Sequence, residues 1–209
     1  MSIAKKYGAH YFAAGEAQTN YSRPNDLYCY SAFMGEHEIT VLMGDSIIYV
    51  DGETAHWKSG PVTVYSKQFA VVLRGYQCGA KSCALTENVN LPYVNGCATR
   101  QIFPPERIGD PTFQQLTIPP YTSEQVHHIH PTARVVYVLS GRGYSIVGQS
   151  TNTEETELLP GMTCILDPMA PHHFRTEDNF LTVLPVHVFS STPKSMEQNH
   201  PMFNGTREV

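Results

Sequence analysis

The stretch 127-HHIHPTARVVYVLSG-141 decides how the chain is read. Three of its first four residues are histidines. From Ala133 it becomes a run of β-branched and aromatic residues, the composition of a buried strand. Side chains alternate faces along an extended chain. His128 and His130 then share a face with their backbones ~7 Å apart, while His127 and Ile129 point the other way. Two imidazoles on one face can converge on a single ion at ~2.0–2.1 Å each. The pattern reads as a two-toothed metal clamp at the mouth of a strand.

A second cluster gives the clamp its meaning. The segment 158-LLPGMTCILDPMAPHHF-174 brings His172 and His173, so half of the ten histidines gather at two places about forty residues apart. Loop histidines that merely satisfy hydrogen bonds explain a lone H-x-H. They explain less well an H-x-H followed by strand, Gly turn, strand, Gly-led strand, Pro and His. His127 and His173 are alternative ligands, should the register be shifted by one.

Outward from this stretch, the chain reads as a β protein. Its 209 residues can bury one large core or two small ones. Hydrophobic residues make up 41% and charged residues 16%, which excludes a disordered polyelectrolyte. The net charge of -5 comes without a basic cluster, so no nucleic-acid footprint is present. No apolar run approaches the ~20 residues of a membrane helix. The start, MSIAKKYGAHYFAAGE, lacks the apolar core of a secretory signal. The odd count of five cysteines with no C-x-x-C suits reduced thiols and a cytoplasmic location.

Fifteen prolines, fifteen glycines and twelve tyrosines suit many strands and turns. Strands are expected at LYCYSAF, EITVLMG, SIIYVDG, PVTVYS and AVVLRGYQC, with a hairpin turn at Val50–Glu53 where Asp-Gly occurs. The pattern loosens into loop over 81–110. Strands resume with TFQQLTI, HHIH, ARVVYVLSG, GYSIVG, TCILD and FLTVLPVHVF. Only the first twenty residues leave room for a short helix. The polar tail is expected on the surface. HEITVLMGDSIIYVDG overlies RVVYVLSGRGYSIVG with Gly44 on Gly141, and SGPVTVYS overlies PGMTCILD, the mark of an internal duplication.

These residues resemble the cupin superfamily, whose motifs read G-x5-H-x-H-x3,4-E-x6-G and G-x5-P-x-G-x2-H-x3-N. His128, His130 and Gly141 take the positions of the first motif, and Gly161 and His172 those of the second. Over 112–190 the resemblance is specific; over 27–76 only the strands fit. It implies an all-β, double-stranded β-helix (jelly-roll) fold with two barrels in tandem, a bicupin. The implied spans are a leader at 1–26, a degenerate barrel without metal ligands at 27–95, a metal-binding barrel at 96–190 and a tail at 191–209. Two positions depart from the pattern: Arg134 stands where the family has a ligand Glu, and Met169 where it has a Gly.

The resemblance implies a divalent metal held by His128, His130 and His172. A Glu-less set resembles the three-His cupins, which favours Fe(II) and a dioxygenase. The alternatives are a lyase, isomerase or cyclase using Zn, Ni, Mn or Fe as a Lewis acid, and a non-catalytic small-molecule binder. Arg134 beside a cation calls for a bridging anion, so a carboxylate-bearing substrate is expected, against the reading that Arg134 turns to partners such as Glu157 on the rim. Alternation points Val136 and Val138 inward as an apolar lining and Tyr137 outward, and Met169 is a candidate substrate contact. His187 shares a face with Leu181 and Val183 and is an acid/base candidate or a core histidine. The family suggests a homodimer.

Overall fold

A computed structural model describes residues 1–16, 19–23, 29–85, 91–106 and 109–189. Leu27 and Tyr28, the loop positions Asn88 and Asn90, and the tail 191–209 lie outside the described residues. The rest is β structure with one short helix, Ile3–Lys6, and one 3-10 turn, Val94–Gly96. Two compact units are present. The first is drawn from Met1–Gly15, 91–102 and Phe113–His187, the second chiefly from Glu16–Leu85 and Phe103–Thr112. Each unit is discontinuous in sequence, whereas the sequence reading divided the chain into consecutive spans.

The first unit has a seven-stranded sheet, in the order Ala9–Phe12, Thr163–Leu166, Ala133–Gly141, Leu181–Val188, Thr112–Ile118, Ala98–Phe103 and Leu91–Pro92. A three-stranded sheet carries Asn152–Leu158, Gly143–Gln149 and His172–Arg175. The core draws on both. Val136, Val138, Cys164, Leu166, Leu181 and Val183 come from the large sheet, and Val147, Leu158 and Phe174 from the small one. Fully burying each such aliphatic or aromatic side chain contributes ~1.5–3 kcal/mol.

Several expectations are corrected here. Ala9–Phe12, expected within a leader segment, pairs with Thr163–Leu166, and Ala4 and Ala9 enter the core. TNTEETEL, where no strand was expected, contains the strand Asn152–Leu158. It borders the small sheet on one side only, and outward glutamates are compatible with such an edge. Thr54–Ser59 is also a strand, its buried Ala55 and Trp57 alternating with partly exposed His56 and Lys58. The expected loop 81–110 contains the strands Lys81–Ala84 and Ala98–Phe103. HHIH is not a strand; only His128 makes a bridge. Tyr137 does face away from Val136 and Val138, but its face is covered too, leaving it 6% exposed.

The second unit repeats the pairing scheme of the first. His37–Val41 pairs with Val62–Ser66 as Ala133–Gly141 pairs with Thr163–Leu166. Ser46–Asp51 lies between Thr54–Ser59 and Phe69–Leu73 as Gly143–Gln149 lies between Asn152–Leu158 and His172–Arg175. Its core holds Ile39, Val41, Ile47, Tyr49, Val64, Ala70 and Val72. The strand that matches the one carrying His172 thus presents Ala70 and Val72 inward.

Gly44 and Gly141, aligned in the sequence, both adopt left-handed backbone, φ +94° and +81°. A Cβ on Gly44 meets nothing within 4 Å, whereas on Gly141 it would lie 2.0 Å from the Phe180 carbonyl oxygen. Gly44→Ala should therefore cost about 1 kcal/mol from conformation alone. Gly141→Ala should cost more than about twice that, because backbone has to move. Denaturant unfolding of the two variants measures the difference; equal costs would contradict the packing described at Gly141.

Candidate metal centre

The histidine loop is tied to the barrel by backbone. Glu124 N–H donates to Phe174 O at 3.0 Å and Thr176 N–H to Thr122 O at 2.8 Å, so the loop first runs antiparallel beside His172–Arg175. His128 and His172 then exchange two bonds, His128 N–H to His172 O at 3.0 Å and His172 N–H to His128 O at 2.9 Å. Between these contacts Gln125, Val126 and His127 bulge out, which is why no regular strand forms there. Met169 N–H donates to His130 O at 2.7 Å and holds the far end of the loop.

Three imidazoles meet where these ties converge. His128, His130 and His172 present ligand nitrogens that all lie within 4.8 Å of one another. His128 Nε2 and His130 Nε2 are 2.7 Å apart. His128 Nδ1–H donates to Val126 O at 2.8 Å and His172 Nδ1–H to Ala170 O at 2.7 Å. A carbonyl only accepts, so both tautomers are fixed and both Nε2 lone pairs face the cluster. Imidazole is a ligand for Zn, Cu, Fe and Ni, and three of them leave coordination positions open. The donor set fits a divalent transition ion.

The other two loop histidines stand apart. His127 Nε2–H donates to Gly148 O at 2.7 Å, which leaves its Nδ1 as acceptor for His173 Nδ1–H at 2.8 Å. Alternation explains the split between neighbours, because His172 and Phe174 are buried while His173 and Arg175 are half-exposed.

Arg134 faces the cluster. It is 7% exposed, and its Nη1 lies 3.2 Å from His172 Nε2. Glu157 pairs instead with Arg142, at 2.6 Å. The Arg134 Nε is buried without a hydrogen-bond partner. Burial holds the guanidinium down at about 10, with the Glu124 carboxylate pulling the other way. Val136 and Val138 follow Arg134 on the same face and are fully buried in the barrel core. Met169 is 54% exposed and left-handed, φ +66°, where the family pattern has Gly. The ring of His187 is centred 6.5 Å from that of His130, outside the three-imidazole group.

Glu124 is a site residue that the sequence reading missed. It is 4% exposed, and its Oε1, which has no hydrogen-bond partner, lies 3.8 Å from His128 Nε2. Burial raises its pKa, opposed by the Arg134 charge. One acid four residues before an H-x-H carries no signal of such a role.

The cluster histidines are held neutral. Burial lowers His130 and His187 to about 3, lowers His128, and lowers His172 well below the ordinary value, with Arg134 adding repulsion in each case. A lowered folded pKa means that the unfolded chain binds more protons below its own value near 6.5. Stability is then complete above that pH and is lost as pH falls towards 3. Glu124, shifted upward by burial, acts in the opposite sense at pH above its ordinary value near 4.5. With a chelator present, urea unfolding should show a clear loss of stability from pH 7 to 5, shallower in His187→Gln. A flat profile over that range would contradict the burial described.

No curated protein sequence matches the chain. Among solved structures, protein Ylba from E. coli is 12% identical over 81% of each chain, with a TM-score of 0.55. A cupin 2 conserved barrel domain protein from Leptotrichia buccalis is 13% identical over 84% of this chain and 92% of its own, with a TM-score of 0.48. A cupin-2 domain from Rhodospirillum rubrum is 19% identical over 44% of this chain, TM-score 0.38, and the match spans 59% of that protein. The Cupin_2 cupin-domain family model matches residues 114–188, the stretch that holds all three clustered histidines. Residues 114–188 therefore carry a cupin domain, and protein Ylba shares the fold over most of the chain.

Proposed function

We propose that the first unit is a metal-dependent active site for a small anionic, carboxylate-bearing molecule. His128, His130 and His172 hold one divalent transition ion, and Arg134 takes the anion beside it. One observation carries this reading: three imidazole nitrogens within 4.8 Å of one another, with a buried guanidinium 3.2 Å from one of them. Charge-assisted bonds from a guanidinium to a carboxylate are short and directional, and the partnerless Nε adds a second donor. Val136 and Val138 close the barrel beneath Arg134 and keep water from that side. Met169 stands at the exposed rim.

The resemblance to the three-His cupins favours Fe(II), which would supply oxygen-dependent chemistry, and hence a dioxygenase. The buried positive charge of Arg134 favours a second reading, in which Zn, Ni, Mn or Fe supplies only Lewis acidity for lyase, isomerase or cyclase work. In both, Arg134 orients the anion, and His187, with its ring 6.5 Å from that of His130, is the candidate acid/base group. The proposal extends to the whole chain as a bicupin with one metal-binding barrel, cytoplasmic and homodimeric. The repeated pairing scheme of the two units supports the bicupin part. The reading for location is compatible with the lack, among the described residues, of any helix long and apolar enough to cross a membrane.

Elemental analysis followed by oxygen-uptake assays on a panel of small carboxylic acids tests the proposal. Iron with oxygen uptake supports the dioxygenase, and zinc with anaerobic turnover supports the second reading. Turnover of nothing, with ligand binding unaffected by chelation, would leave a non-catalytic binder. His128→Ala and His130→Ala should each lower metal occupancy at least about tenfold. Unchanged occupancy would remove the metal site.

A further inference from the structure

Arg134 and a metal ion need the same electron pair. His172 Nδ1–H is committed to Ala170 O at 2.7 Å, so the one lone pair on that ring is at Nε2. Arg134 Nη1 lies 3.2 Å from that Nε2 and donates into it. An ion taking His172 Nε2 displaces this hydrogen bond. It also sets its own charge beside a buried guanidinium, where like charges repel more strongly than in water. We infer that cation and arginine compete for His172, and that an anion resolves the competition, so metal and anionic ligand bind cooperatively. This rests on the metal-centre reading above and adds to it a rule of loading.

The displaced guanidinium has few alternatives. Its Nε already lacks a partner, and it is buried among the side chains of the barrel. Glu124 is the protein carboxylate whose charge acts on it, and that group has an unpartnered Oε1 beside His128. If Glu124 captured the guanidinium, no external anion would be needed. The 3.2 Å contact to His172 in preference to Glu124 argues that Arg134 is positioned for the ion's side of the pocket. A carboxylate bridging ion and guanidinium then neutralises both. By linkage, each ligand must raise the affinity of the other by the same factor.

The probes are zinc and acetate. Zinc is titrated into chelator-treated wild type, Arg134→Gln and His128→Ala against a chromophoric chelator, with acetate or chloride at equal ionic strength. In wild type, saturating acetate should raise zinc affinity about 5- to 150-fold. Arg134→Gln should bind zinc at least about tenfold tighter than wild type in chloride and gain no more than about twofold from acetate. If His128→Ala binds zinc as wild type does, the metal-centre reading itself fails. If His128→Ala loses zinc but Arg134→Gln binds no tighter than wild type, or keeps the acetate effect, the competition is overturned. Should Arg134→Gln not fold, wild type alone decides. Acetate affinity with and without zinc has to change by the factor seen for zinc, and no change in either overturns the inference.

Discussion

The two hydrogen bonds exchanged between His128 and His172 are the constraint on which the site depends. One partner lies in an irregular loop, the other opens a strand of the small sheet. Without that bridge the loop would bring a mobile H-x-H near the barrel, and the entropy of ordering it would oppose ligation. With it, the loop is fixed at the residue that matters, and the bulge over 125–127 turns His127 aside towards Gly148. The same bridge sets His172 beside His128, with ring centres 4.7 Å apart. Two further carbonyls, from Val126 and Ala170, then fix the tautomers. Preorganisation of this kind lets a small number of ligands bind an ion tightly, because little order remains to be gained.

The charges around the cluster follow from burial. Desolvation keeps the imidazoles neutral, the state in which they are ligands. It also makes the lone cation Arg134 and the lone acid Glu124 costly, and each is held in check chiefly by the field of the other. A barrel that keeps two opposed charges next to three neutral imidazoles is not arranged for stability alone, since apolar residues of similar volume would serve stability as well. The arrangement suits a pocket that receives a cation and an anion together.

Much of this was legible in the chain itself. The strands with β-branched runs, the Asp-Gly turn and the pairing of Gly44 with Gly141 follow from local chemistry, and the structure repeats them. His128, His130 and His172 were legible because alternation works over a short span even where the chain is not a regular strand. Two of the strands that escaped notice have a composition that opposes their conformation: acidic Asn152–Leu158 at a sheet edge, and Thr54–Ser59 with its mixed polar face. Glu124 escaped because its role comes from fold-level proximity to Arg134 and His128, ten and four residues away, and no spacing rule encodes that. The pairing of Ala9–Phe12 with the Thr163–Leu166 strand escaped for the same reason: strand partners distant in sequence leave no local trace.

The second unit shows what the same topology becomes without ligands. Its matching strand faces inward with Ala70 and Val72, and its counterpart to the Ala133–Gly141 strand begins at His37, whose Nε2–H is spent on Met34 O at 3.0 Å. On the reading proposed above, the chemistry lies in the first unit, while the described core of the second is apolar. X-ray absorption fine structure on the metal-loaded protein tests the central claim most directly. The account expects a shell of about three nitrogens at ~2.0–2.1 Å with the outer-shell scattering of imidazole rings. A shell of oxygens alone, or a metal that no imidazole surrounds, would contradict it.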